Sequence, residues 1–96
     1  MTAKQNSAKE KTVYIVNRLG LHARAAARLV TLAASFDCEI HIRKDDKLVS
    51  GKSIMGVLML AAAQGSRITL IAEGPDADAA LEAMAKLIAE RFDEEA

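Results

Sequence analysis

The stretch Gly20-Leu21-His22-Ala23-Arg24-Ala25-Ala26-Ala27-Arg28-Leu29-Val30-Thr31-Leu32-Ala33-Ala34-Ser35-Phe36 decides the fold. Gly20 lets the backbone turn sharply. From Ala23 to Ser35, the apolar residues Ala26, Leu29, Val30, Ala33 and Phe36 recur at helical spacing. Arg24, Arg28, Thr31 and Ser35 fall on the opposite face. A helix apolar on one side must lie on another layer, and the flanking segments supply strands for it. Upstream, Thr12-Val13-Tyr14-Ile15-Val16 is β-branched and aromatic and reads as a strand, broken by Asn17 to Gly20. Downstream, Glu39 to Lys44 alternates, with Ile40 and Ile42 on one side and His41 and Arg43 on the other. Asp45-Asp46 supplies a tight turn, because Asp tolerates positive φ, and Lys47 to Ser50 returns as a short strand.

The second half repeats the logic. Ser53 precedes the apolar run Ile54 to Ala62, a short helix ended near Gly65. Arg67 to Glu73 is a strand with Ile68, Leu70 and Ala72 on one face, and Gly74-Pro75 breaks it. Asp76 caps a last helix whose stripe is Ala77, Leu81, Met84, Ile88 and Phe92. The order βαββαβα predicts an α+β fold, one four-stranded sheet with three helices on one face. Residues 1–10 are polar and read as a flexible tail, residues 11–92 as a single domain, and residues 93–96 as a frayed acidic end.

The bulk numbers remove several function classes. The 96 residues suffice for one core, and the 51% hydrophobic content argues against intrinsic disorder. The 13 basic and 13 acidic residues cancel, so no basic field favours nucleic acid and no polybasic face favours a membrane. Cys38 is the only cysteine, so there is no internal disulfide, which fits a reducing, cytoplasmic compartment. One cysteine and two histidines are too few for a zinc site, and no cofactor motif is present. The N-terminus has no apolar signal-peptide core. The longest charge-free apolar run, Ile54 to Ala63, is about half the ~20 residues that a membrane span needs.

His22 stands just before the first helix. A lone histidine is usually structural, but its neighbours change the weighing. The first N–H groups of a helix lack intrahelical partners and carry partial positive charge, so they form an anion site. Arg24 adds a guanidinium suited to phosphate oxygens. The helix terminus disfavours the imidazolium, which predicts a neutral, nucleophilic ring. Such a site can accept a phosphoryl group, hold it and pass it on, since phosphoryl transfer needs little beyond positioning and electrostatics. No carboxylate pair, Walker loop or Ser-His-Asp arrangement accompanies His22, so the chain reads as an acceptor rather than a complete enzyme.

Here the residues resemble a known family. Gly20-Leu21-His22-Ala23-Arg24 resembles the active-site motif of HPr, the histidine-containing phosphocarrier of the phosphoenolpyruvate-dependent phosphotransferase system. Lys52-Ser53-Ile54-Met55-Gly56-Val57 resembles the regulatory-serine region of the same family, and the likeness runs from about Lys11 to Phe92. The resemblance implies an open-faced β-sandwich of four antiparallel strands and three helices. It implies that His22 takes phosphate on Nδ1 from Enzyme I and gives it to enzyme IIA proteins, with Arg24 binding the phosphate. It implies that Ser53, besides capping its helix, is the target of an HPr kinase/phosphorylase. Ala25 departs from the pattern, since many members have proline there, and alanine leaves the first turn less pre-set.

The run Ile54 to Ala63 is apolar almost all round, more than so small a domain can cover, so one face should stay exposed. Val57 with Leu60 or Ala61 is expected inward. Ile54, Met55 and Leu58, with Leu21, are expected to form a docking patch beside His22, rimmed by Arg24, Arg28 and Lys52. The carrier is expected to be a monomer. Two other readings stay open. One is a nitrogen-branch regulatory phosphocarrier of the same family. The other is a ferredoxin-like ligand-binding module, against which the three aromatics, Tyr14, Phe36 and Phe92, offer no stacking platform.

Overall fold

A computed structural model describes residues 8–96. The elements are β1 (Lys9–Tyr14), α1 (Ala23–Ala34), β2 (Glu39–Lys44), β3 (Lys47–Ser50), α2 (Ile54–Met59), β4 (Arg67–Glu73) and α3 (Ala77–Ala89). The sheet order is β1-β4-β2-β3 and every neighbouring pair is antiparallel. Alternation along β2 and β4 turns Ile40, Ile42, Ile68, Leu70 and Ala72 inward, where all are buried beneath the helices. The apolar stripe of α1 meets them through Ala25, Ala26, Leu29, Val30 and Ala33, and α3 adds Ala80, Met84 and Ile88. The other sheet face carries Thr12, Thr69, His41 and Arg43 and is open. Among the described residues, no helix is long and apolar enough to cross a membrane.

Four features differ from the sequence reading for tertiary reasons, and β1 also ends at Tyr14, two residues short of the expected Val16. β1 begins at Lys9, inside the expected tail, because backbone pairing with β4 needs no apolar side chain; its register runs from Lys9–Ala72 to Tyr14–Arg67. Residues 1–7 of that expected tail lie outside the described residues. α2 stops at Met59, six residues before Gly65, because Ala61 takes a left-handed φ of 51° and so aims the Ala62 carbonyl at the Leu21 N–H, 2.9 Å away. Asp76 precedes α3 but does not cap it with its side chain. Its carboxylate instead accepts from Asp37 N and Cys38 N, at 2.8 and 2.9 Å, and ties the start of α3 to the approach to β2.

The fourth difference bears on the site. The stripe that ends in Phe92 does not ride one continuous helix. α3 ends at Ala89, and Arg91, Phe92 and Asp93 form a left-handed turn with φ of 59°, 54° and 65°. That turn drives the Phe92 ring into the core, where it is fully buried. Asp93 and Glu94, expected to be frayed, are held by side-chain contacts to Arg28, Asn17 and His22.

Candidate functional site

The site is built where the Asn17–His22 loop enters α1. Gly20 has φ of 68°, and its carbonyl accepts both His22 N (2.9 Å) and Asn17 Nδ2 (2.8 Å). Leu21 N donates to Ala62 O and pins the loop to the segment that follows α2. His22 is the N-cap residue of α1, with extended backbone, and its side chain does not cap. The first backbone bond of the helix is Ala26 N to His22 O, at 2.8 Å. Among the described residues, the N–H groups of Ala23, Arg24 and Ala25 have no backbone acceptor, as expected for a first turn. These donors and the positive end of the helix dipole therefore lie at the start of α1, next in the chain to the imidazole.

The His22 side chain is 28% exposed, enough for another protein to reach. Its Nε2 lies 2.5 Å from Glu94 Oε2. The other carboxylate oxygen, Glu94 Oε1, accepts from Asn17 Nδ2 at 3.0 Å. Asn17 is fully buried, and its own Oδ1 has no partner among the described residues. The hydrogen bond from His22, helped by the one from Asn17 and by the nearby Arg24 charge, holds the Glu94 carboxyl below the usual carboxylate range despite its partial burial. Nδ1 of His22 has no hydrogen-bond partner among the described residues.

Arg24 is exposed, and its guanidinium makes no ion pair or hydrogen bond among the described residues. It lines a surface depression with His22, Arg18, Leu19, Glu94 and Glu95, so the free cation and the histidine share one opening. Arg28 is committed elsewhere. Its Nη1 donates to Phe92 O at 2.8 Å and lies 3.3 Å from Asp93 Oδ2, so it clasps the left-handed turn. Lys52 is not beside His22. Its Nζ donates to Phe36 O at 2.7 Å, beyond the far end of α1. That helix is roughly 18 Å long, 12 residues at 1.5 Å each. The Lys52–Phe36 and Leu21–Ala62 bonds together show that α1 and α2 run in opposite directions, with His22 near the end of α2 and Ser53 near the end of α1.

Ser53 caps α2 as expected, its Oγ accepting Gly56 N at 3.0 Å. Val57 and Leu60 point inward, while Ile54 (44%) and Met55 (69%) are exposed. Two expectations for the apolar face need correction. Leu21 is 5% exposed, because its backbone bond to Ala62 draws the side chain into the core. Leu58 is half-buried against the core, and Met59, at 67% exposed, takes its place on the surface. Helical geometry explains the exchange: Leu58 follows Val57 around the inward side, whereas Met55 and Met59 are four apart and share the outer face. Leu19, 63% exposed and next to the histidine loop, is a further apolar surface residue that the sequence reading passed over.

Comparison with known proteins agrees with this geometry. The family described as "PTS HPr component phosphorylation site" matches residues 9–90. The chain is 51% identical over 85 residues to a phosphocarrier protein NPr of Shewanella violacea, covering 88% of this chain and 93% of that protein. It is 47% identical over 85 residues to a phosphocarrier protein HPr of Cupriavidus necator, covering 88% and 96%. Among solved structures, HPr-C-His from Thermoanaerobacter tengcongensis superposes with a TM-score of 0.88 at 45% identity, covering 92% of this chain and 99% of that one.

Proposed function

The chain belongs to the HPr family of phosphotransferase-system phosphocarriers, and we propose that His22 is the residue on which it carries the phosphoryl group. The protein is a carrier, not an enzyme. On this reading His22 Nδ1 attacks the phosphorus of phospho-Enzyme I, and the group then passes to enzyme IIA proteins. The observation that carries the reading is the reachable imidazole at the start of α1, which shares one opening with the Arg24 guanidinium; among the described residues neither that guanidinium nor His22 Nδ1 has a partner, and the first-turn N–H groups have no backbone acceptor. A phosphoryl dianion there meets backbone donors and a cation without having to reorganise them.

Docking falls to Ile54, Met55 and Met59 on α2 and to Leu19 in the histidine loop, all exposed apolar side chains. Methionines suit a face that must fit more than one partner. Ser53 lies on the same helix, and its phosphorylation by an HPr kinase/phosphorylase would set a dianion at the end of that face. The carrier works as a cytoplasmic monomer, where Cys38, buried and unpaired, stays a thiol.

The 51% identity to a protein named NPr favours a second reading, a carrier of the nitrogen-regulatory branch. The two are separated by presenting the chain to the Enzyme I of each branch with phosphoenolpyruvate and comparing initial labelling rates. Faster labelling by the sugar-branch enzyme supports the first reading, and the reverse order supports the second. Labelling by neither, or labelling that survives His22→Ala, sinks both.

A further inference from the structure

Glu94 is placed too deliberately for an exposed acidic end. Its side chain is 16% exposed, and both carboxylate oxygens are engaged, one on His22 Nε2 (2.5 Å) and one on Asn17 Nδ2 (3.0 Å). Asn17 is itself locked, because the same amide donates to Gly20 O at 2.8 Å, in the loop that carries His22. From the other direction Glu94 is fixed by the turn before it. Phe92 is fully buried, and Arg28 holds its carbonyl at 2.8 Å. Three consecutive left-handed residues, none of them glycine, are an arrangement that the chain adopts only when surrounding contacts impose it.

We infer that Glu94 is a positioning residue for phosphoryl transfer, accepting the Nε2–H of His22 so that the ring presents its lone pair on Nδ1. The inference rests on the reading of His22 as the acceptor. An ionised carboxylate can only accept a hydrogen bond, so the neutral ring must carry its proton on the nitrogen that faces Glu94. A carboxylate behind a histidine fixes tautomer and orientation in the same way in metal sites and in nucleophilic triads. In the transfer itself the Nδ1 lone pair forms the new N–P bond while the N–P bond of the donor's phosphohistidine breaks, and its electron pair returns to the donor ring. No proton leaves His22. The phosphorylated ring keeps Nε2–H and gains positive character, which the Glu94 carboxylate stabilises. When the group moves on, the electron pair of the broken bond returns to Nδ1 and the same tautomer is restored. Arg24, at the same opening, offsets the repulsion between carboxylate and phosphoryl oxygens.

The test uses the full chain with Glu94→Ala and Glu94→Gln, the second keeping an acceptor without the charge. 15N spectra of the unphosphorylated proteins read the tautomer directly. The wild type should show the proton on Nε2, Glu94→Ala a mixture of both nitrogens, and Glu94→Gln an intermediate ratio. In labelling by phosphoenolpyruvate and Enzyme I, Glu94→Ala should lower kcat about tenfold or more with KM for the chain unchanged, the size expected for losing a charge-assisted hydrogen bond. Glu94→Gln should recover part of the rate. Unchanged tautomer and unchanged rate in Glu94→Ala would overturn the inference, as would faster labelling, which would make Glu94 a competitor for the site. If the wild type takes no label at all, the acceptor reading fails, and the spectra still decide the tautomer.

Discussion

Replacing Gly20 by alanine tests how tightly the site loop is held. Gly20 has φ of 68°, and a Cβ there would stand 2.6 Å from Ala62 O and 3.0 Å from Ala63 Cα. Both neighbours are backbone, so no side-chain rotation relieves the contact, and Ala62 O also accepts Leu21 N. The left-handed backbone costs an L-residue about 1–2 kcal/mol, and forcing two packed segments apart adds roughly 1–3 kcal/mol. Gly20→Ala should therefore destabilise by about 2–5 kcal/mol, a fall in Tm of roughly 10 °C or more for a domain of this size. Gly65 is the internal control. It has φ of 90°, and a Cβ at that position would meet nothing within 4 Å, so Gly65→Ala should show the backbone cost alone, about 1–2 kcal/mol. Urea unfolding of both variants gives the comparison. Equal losses, or a larger loss for Gly65→Ala, would refute the claim that the histidine loop is packed against residues 62 and 63.

Ser53→Ala removes the Oγ that accepts Gly56 N and should cost about 1 kcal/mol in urea unfolding without altering the sheet. Phe92→Ala empties a fully buried site and should cost about 3–5 kcal/mol; it should also loosen the Glu94 contact, seen as faster amide exchange after residue 90. The Asp76 carboxyl is held low, chiefly by the Asp37 N–H, and the Glu94 carboxyl by His22; the ordinary values are 3.8 and 4.5. Depressed carboxyls stabilise the fold above their unfolded values and lose that contribution as pH falls through the folded ones. Tm should thus decline as pH is lowered below the ordinary values, and less steeply in Asp76→Asn. Ser53→Asp should slow labelling of His22, because it adds charge at the end of the shared docking helix; unchanged kinetics would count against that coupling.

Local pattern carried most of the fold. The alternation of Ile40 and Ile42, the Asp45-Asp46 turn and the stripe Ala26, Leu29, Val30 and Ala33 lie where periodicity places them. The places of His22, Arg24 and Ser53 at helix starts were legible because helix starts have a chemistry that short motifs express. What escaped depends on contacts between distant parts of the chain. Lys52 reads as a rim cation until the structure brings Phe36 O to its ammonium. Leu21 reads as surface until its backbone binds Ala62. Glu94 lies 72 residues from His22, and no local period links them. The one available signal was Phe92, an apolar residue beyond the natural end of α3 that needed a burial site and would draw its neighbours in with it.

The central claim is that His22 carries a phosphoryl group. Its most direct measurement is the intact mass of the chain after reaction with phosphoenolpyruvate and Enzyme I, followed by mapping of the modified residue. A single added phosphoryl group on His22, lost in mild acid and kept in alkali, is the predicted result. An acid-stable phosphate, or a phosphoryl group mapped to any other residue, would contradict it.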